Sequence, residues 1–429
     1  MAWMMAIMLI LLVLRTPVAF AIGISTLCYM AFATELNLMA LAQRMSVGAD
    51  SFVLLAVPFF LLAGELMNAG GITQRLVRLA QAMVGSIRGG LSHVVVGVNM
   101  LMAGVSGTAI ADAAAVGSVL IPEMERRGYG RGFAAAVNAS AATIGPVIPP
   151  SVGFIIYASL ANVSVGKLFL AGTVPGMLMG LYMMTACSII ARKRNLPRGE
   201  PINLRELWAA LKNASWAILM PIIILGGIAG GIVTPTEAGA IAVAYGLFVG
   251  MFVYRQIRLS DLPRLLVRSA KQSAVIMFII AAASAFGWLL TLEGTPAQLV
   301  NLFTSMSESP WVFILVIIAA LLVLGCVMEG ASIMIVLTPL LLPALAHYQI
   351  DLIHFGVVFQ LAIMLGLLTP PVGMLLFVIS GVGNVPMNEM LRDLWPFLIV
   401  LFLVLLMVAF IPQISLWLPQ WWSAAAIGG

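Results

Sequence analysis

Charge is what this sequence has least of. Only 9% of its 429 residues are Asp, Glu, Lys or Arg, against about 25% in a soluble domain. Such a chain cannot cover a water-facing surface. With 62% hydrophobic residues and a mean hydropathy of +1.12, it reads as an all-α polytopic membrane protein. Cysteine is scarce: Cys28, Cys187 and Cys326 are isolated and suggest neither a disulfide framework nor a metal site. His93, His347 and His354 form no HExxH pair or close cluster and read as interfacial or packed side chains. No GxxxxGKS/T occurs, since Gly166-Lys167 is followed by Leu168, so P-loop ATP hydrolysis is excluded. No basic residue precedes Arg15, so the positive n-region of a cleaved signal is missing. After Lys271 the only basic residue is Arg392. The net charge of +5 therefore reflects loops on one side of a bilayer, not a nucleic-acid surface.

What is present is proline and glycine inside apolar runs. Residues 138–153, NASAATIGPVIPPSVG, carry Gly145, Pro146, Pro149 and Pro150 within six positions. Each proline removes an N–H and disfavours helix in the residue before it, so this stretch cannot be one continuous helix. Broken helices at membrane depth are tolerated where protein or a water-filled cavity satisfies the freed backbone groups, and transporters bind ions and substrate at such breaks. A second copy, GLLTPPVG, occupies 366–373. An offset of 221 carries Gly145 onto Gly366, Pro149 onto Pro370 and Pro150 onto Pro371. It also carries Gly104 onto Gly325, Pro122 onto Pro343 and Pro175 onto Pro396. Two unrelated kinked helices would not share six such positions, and we read an internal repeat.

Along the chain, 1–14 and 17–33 read as two short spans, with one long proline-kinked helix as the alternative. Residues 35–52 read as interfacial, and 53–69 as a span. In 72–88, Leu76, Leu79, Ala80 and Met83 follow helical spacing, with Arg75, Arg78 and Arg88 among the polar positions; an amphipathic interfacial helix is expected, a plain surface helix being indistinguishable. Residues 90–121 are flanked by Arg88 on one side and Arg126, Arg127 and Arg131 on the other. The positive-inside rule puts both ends in the cytoplasm and predicts a re-entrant hairpin with its tip at 106–108. A single full span is the competing reading. The first broken helix covers about 132–163 and a further span 167–191. The hydrophilic stretch 192–212 is expected as a cytoplasmic loop. Spans at 215–232 and 236–253 flank Thr234-Pro235-Thr236-Glu237, where Glu237 reads as part of a capping box. Residues 261–271 are expected to mirror the amphipathic helix, before a span at 273–291. Residues 311–343 form a second hairpin with its tip at 328–332. Its flanks carry no Lys or Arg, so it enters from the opposite side. A second broken helix (353–384), a last span (391–410) and an aromatic anchor (Trp417, Trp421, Trp422) complete the chain.

Polar groups at depth are few: Ser106, Thr108 and Asp112; Asn138, Ser140, Thr143 and Ser151; Glu329, Ser332, Thr338 and Thr369. Hydroxyls, carbonyls and one or two carboxylates suit a hard monovalent cation. No basic residue lies in the breaks or at the tips. A carboxylate substrate would rest on helix N-termini, hydroxyls and co-bound Na⁺. Asp112 and Glu329 are either functional or N-caps of hairpin half-helices. They stand alone, so the paired aspartates or nucleophile and base of an intramembrane enzyme are missing. A structural scaffold would not explain two matched breaks.

Four stretches, SGTAIADAAAVGSVLIPEM (106–124), ATIGPVIPPS (142–151), GGIVTPTEAGAIAVAYG (230–246) and GLLTPPVG (366–373), with RTPVAFAIG (15–23), resemble the large membrane subunit of tripartite ATP-independent periplasmic (TRAP) transporters. The resemblance covers essentially the whole chain. It implies an inverted-repeat, elevator-type importer of organic acids such as sialic acid or C4-dicarboxylates, coupled to Na⁺ without other cofactor, in the bacterial inner membrane. Its implied partners are a small four-helix membrane subunit, expected as a separate chain, and a periplasmic substrate-binding protein. The implied transport domain is 89–165 with 310–385. Residues 1–88, 166–309 and 386–429 would be scaffold. One Na⁺ site would use Ser106, Gly107, Thr143, Gly145 and Pro149, the other Met328, Gly330, Gly366 and Thr369. Substrate would meet Ser106, Thr108, Asn138, Ser151, Glu329 and Ser332. The rival expectation is a stand-alone dicarboxylate/Na⁺ symporter that needs no binding protein.

Overall fold

The computed structural model describes residues 2–14, 16–199, 201 and 203–427. Arg15, at the head of the RTPVAFAIG stretch, and Glu200 and Ile202 of the hydrophilic loop lie outside the described residues. The described chain is helical, without a named strand. Seven helices are long and apolar enough to cross a membrane, or eight counting one bent pair.

Helices α1 (Ala2–Val13) and α2 (Val18–Ala33) are separate. Trp3 lies against Tyr29, ring centroids 5.1 Å apart, so they fold back as a hairpin. The single kinked helix is thereby ruled out. Helix α3 (Met39–Ala49) meets the helical segment Val53–Ala69, which contains α4 (Ala56–Ala69), at 64°. In α5 (Ile72–Val84), Leu76, Leu79 and Ala80 are buried as expected, whereas Met83 is 52% exposed. The buried face packs on α6 (Gly90–Ser106) and α11 (Leu204–Ala229), so this arm is a packed element.

Helices α6 and α7 (Ala109–Arg126) form the first hairpin. Its ends return to one side, because the Tyr129 hydroxyl lies 3.4 Å from the Leu91 amide. A single full span is excluded. The break follows between α8 (Arg131–Ala142) and α9 (Val152–Ala161), and then α10 (Val165–Lys193). The hydrophilic loop is shorter than its composition suggests, since α11 already starts at Leu204 with the Asn203 side chain as its cap. Helix α12 (Pro235–Phe248) starts with the expected box: the Glu237 carboxylate accepts from the Thr234 amide at 2.8 Å.

Helix α13 (Leu262–Leu292) is continuous where the sequence suggested an arm at 261–271 and then a span. No proline or glycine interrupts it between Pro263 and Gly287. The true counterpart of α5 is α14 (Thr295–Met306), because the 221 offset carries Ile72–Val84 onto 293–305. The same offset carries α7 onto 330–347, the bounds of α16 (Gly330–His347). With α15 (Pro310–Val327), α16 makes the second hairpin, closed at its base by the Tyr348 hydroxyl donating to Ser307 O at 2.8 Å. Helices α17 (Leu352–Leu368) and α18 (Met374–Gly383) flank the second break, and α19 (Met387–Phe410) and α20 (Gln413–Ile427) end the described chain. Trp422 Nε1 donates to Ala229 O at 2.7 Å, while Trp417 and Trp421 stay exposed.

Candidate functional site

The two hairpin tips meet in one cavity of about 590 Å³. Its walls include Ser106–Thr108 and Glu329–Ser332 at the tips, Pro146 and Gly153 beside the first break, Gln360 and Met364 on α17, Pro17, Val18 and Ala19 at the head of α2, and faces of α4 and α13. The α4 face is Leu61, Gly64, Glu65 and Asn68; the α13 face is Arg268, Gln272, Val275, Ile276 and Ile279. Both follow the three- and four-residue spacing of one helix side. Arg268 sits in the second turn of α13, just after the basic stretch of Arg255, Arg258 and Arg264. By the positive-inside rule this wall is the cytoplasmic one.

Each tip touches its own break. Gly107, at φ +61°, ends α6 in a left-handed conformation that costs a side chain about 1–2 kcal/mol. A Cβ there would also stand 2.7 Å from Pro150 O. Ser106 donates to Asp112, which is fully buried. The other carboxylate oxygen of Asp112 has no protein partner and packs on Gly145, where a Cβ would stand 2.5 Å away. Asp112 is therefore not an N-cap, since Thr108 holds that position. In the second repeat the Gly373 amide donates to Cys326 O at 3.1 Å, linking break to hairpin. Glu329 does take the N-cap position of α16 and accepts from Ser332 Oγ at 3.3 Å. The Pro149–Pro150 and Pro370–Pro371 bonds are both cis.

Of the residues anticipated for substrate, Ser106, Thr108, Glu329 and Ser332 line the cavity, as do Gly107 and Gly330 from the ion sets. Asn138 and Ser151 do not. Asn138 Nδ2 donates to Ala113 O at 2.8 Å and ties α8 to α7. Ser151 Oγ donates to Pro146 O at 2.5 Å and caps α9. Thr143 is buried and donates to Ser140 O at 2.6 Å. Thr369 donates to Leu365 O at 2.7 Å. Gly145 and Pro149 lie in the first break, Met328 at the second tip and Gly366 in the last turn of α17.

The residue patterns did not single out Gln360, Glu65 or Arg268. Gln360 is buried and donates to Pro146 O at 3.2 Å, joining the repeats. Its 221-offset partner is Ala139, so the repeat search could not find it. Arg268 and Glu65 form an ion pair at 3.2 Å. For Arg268 the available signal was the helical spacing of the α13 face; for Glu65 it was a lone carboxylate in the apolar 53–69 span. Among the described residues no group of three or more His, Cys, Asp or Glu could hold a metal.

The model of the DctM component of tripartite ATP-independent periplasmic transporters matches residues 5–414. The chain belongs to this family. It is 44% identical over 382 residues to a C4-dicarboxylate TRAP transporter large permease protein of Pseudomonas aeruginosa, covering 89% of this chain and 90% of that protein. It is 40% identical over 406 residues to the 2,3-diketo-L-gulonate large permease of Escherichia coli, with 95% of each covered. It is 39% identical over 404 residues to the sialic acid large permease of Vibrio cholerae, covering 94% and 95%. In three dimensions it is similar to the Alcanivorax borkumensis YdaH transporter, with TM-score 0.62 over 88% of this chain and 90% of that one, at 15% identity. That likeness shows the shared fold. The TRAP large permease is an inner-membrane transporter component and not an enzyme.

Proposed function

We propose that this TRAP permease imports a small organic acid by Na⁺-coupled secondary transport. The relatives named for C4-dicarboxylates, diketogulonate and sialic acid support the substrate class. The observation that carries the ion coupling is the buried Asp112 carboxylate. One oxygen is bound by Ser106, and the other faces the first break without a protein partner. An uncompensated carboxylate in a dry site is costly, and a bound Na⁺ would relieve it. Ser106, Asp112 and the carbonyls near Gly145 would be its surroundings. The second ion would sit between the 328–332 tip and the 366–370 break. The acid would occupy the cavity against Ser106, Thr108, Glu329 and Ser332, with helix N-termini facing its charge.

Alternating access would move the hairpins and broken helices (89–165 and 310–385) against the scaffold. Helix α19 packs chiefly on α8, α10 and α17, and α10 on α6, α9 and α17 as well as on α19 and α20, so we place α10 and α19 with the moving unit, although the resemblance implied a scaffold role for them. The working complex would include a small four-helix membrane subunit and a periplasmic binding protein. The test is uptake of sialic acid, succinate and 2,3-diketo-L-gulonate into proteoliposomes holding all three proteins. Uptake should require an inward Na⁺ gradient and the binding protein. Uptake that ignores Na⁺ but follows ATP would sink the proposal. Uptake without the binding protein would favour the stand-alone symporter.

A further inference from the structure

The tips and breaks offer an anionic substrate no cation, yet the cavity has one. Among the described residues lining it, the charged side chains are Glu65, Arg268 and Glu329. We propose that Arg268 receives the carboxylate of the transported acid at the cytoplasmic mouth, exchanging it for Glu65. The inference rests on the organic-acid transport reading above and extends it to the release step.

The pair is anchored at one end and open at the other. The Glu65 side chain is 11% exposed and the Arg268 side chain 65%. Arg268 Nε lies 3.2 Å from Glu65 Oε1. Its two terminal amino groups make no hydrogen bond among the described residues, which leaves donors to spare on a side chain that lines the cavity. A guanidinium in that state presents the fork that binds a carboxylate through two parallel bonds. Glu65 is not abandoned when Arg268 turns away, because Gln272 Nε2 lies 3.5 Å from the same oxygen. One turn further on, Asn68 Oδ1 is buried without a partner, an acceptor suited to a hydroxyl of the same substrate. Arg268 stands on α13 and Glu65 on α4, outside the hairpins and breaks. A carboxylate held at the tips therefore meets Arg268 only when the moving unit presents its cavity to this wall. Glu65 then competes for the guanidinium, which keeps the encounter weak enough for release.

The test compares Arg268→Gln, Arg268→Lys, Glu65→Gln and the double variant E65Q/R268Q in the complex with the small subunit. Binding to the solubilised membrane complex is measured with whichever of sialic acid, succinate or 2,3-diketo-L-gulonate the wild type takes up, at saturating Na⁺. R268Q should weaken binding about tenfold or more and R268K less. E65Q should tighten it several-fold and slow net uptake. The double variant decides between a contact and a structural role: it leaves no unpaired charge, so it keeps the fold. It should bind as weakly as R268Q if the acid touches Arg268, and like the wild type if Arg268 merely neutralises Glu65. Wild-type affinity in R268Q or in the double variant overturns the assignment while leaving the transport reading intact. A wild-type complex that takes up none of the three acids under a Na⁺ gradient overturns both.

Discussion

The two repeats share a backbone plan but not an environment. The first break is buried almost throughout: Thr143, Gly145, Pro146, Pro149 and Pro150 are all covered. The second is open, with Pro371 and Val372 exposed. The helix after the first break, α9, is buried at seven of its ten positions; α18 is buried at three. The first tip holds its carboxylate inside the protein at Asp112, while the second presents Glu329 to the cavity. Pro146 O takes hydrogen bonds from both Ser151 and Gln360. A symmetric scaffold thus carries one tightly packed site and one loose one. Packing of this kind costs energy to rearrange, so under the proposed Na⁺ coupling the first break is expected to hold an ion firmly and the second to exchange one readily.

Asp112→Asn against Glu329→Gln strains this comparison most. Losing the buried charge should raise the Na⁺ concentration for half-maximal uptake about 100-fold, near 2.7 kcal/mol, and Glu329→Gln only about tenfold. Equal shifts would show that burial does not rank the sites. Next come the tips themselves. Gly107→Ala should cost about 2 kcal/mol in detergent thermal unfolding, from left-handed strain and the contact with Pro150 O. The equivalent position, Met328, has φ −113° and already carries a side chain, so Met328→Ala should cost about 1 kcal/mol or less. A third pair sharpens the ion assignment. Ser106→Ala removes a donor to Asp112 and should shift Na⁺ dependence about tenfold. Thr369→Ala breaks a bond to its own helix and should shift it about threefold or less. Unchanged Na⁺ dependence in both would refute the placement. The smallest effect concerns the link between repeats: Gln360→Leu should lower stability by about 1 kcal/mol, read as a small fall in melting temperature, and no fall would mean that Ser151 alone satisfies Pro146 O.

The main elements followed from local rules. Prolines at 146, 149, 150, 370 and 371 forced the breaks, and the 221 offset announced the repeat. The scarcity of Lys and Arg after Lys271 is the ground for expecting the second hairpin to enter from the opposite side. The helix boundaries that differ share one cause. Composition separated 261–271 from 273–291, but a helix ends where its backbone is interrupted, and nothing interrupts α13 there. For the same reason α14 and not 261–271 answers α5. Asn138 and Ser151 are expected as ligands because they are polar at depth; neither lines the cavity, and Asn138 Nδ2 and Ser151 Oγ donate to backbone carbonyls of the fold, while Asn138 Oδ1 is buried without a hydrogen bond among the described residues.

The sequence alone determined the class of the protein. Charge scarcity demands a bilayer, broken helices demand a cavity or protein around them, and the repeated breaks mark an internal repeat. Only the tertiary structure decided which polar groups face that cavity. Arg268 and Glu65 are distant in sequence and sit on separate helices, and Gln360 lies 214 residues from the carbonyl it binds. No local pattern records such pairings, because they depend on how whole helices pack once the membrane has fixed that they are helices.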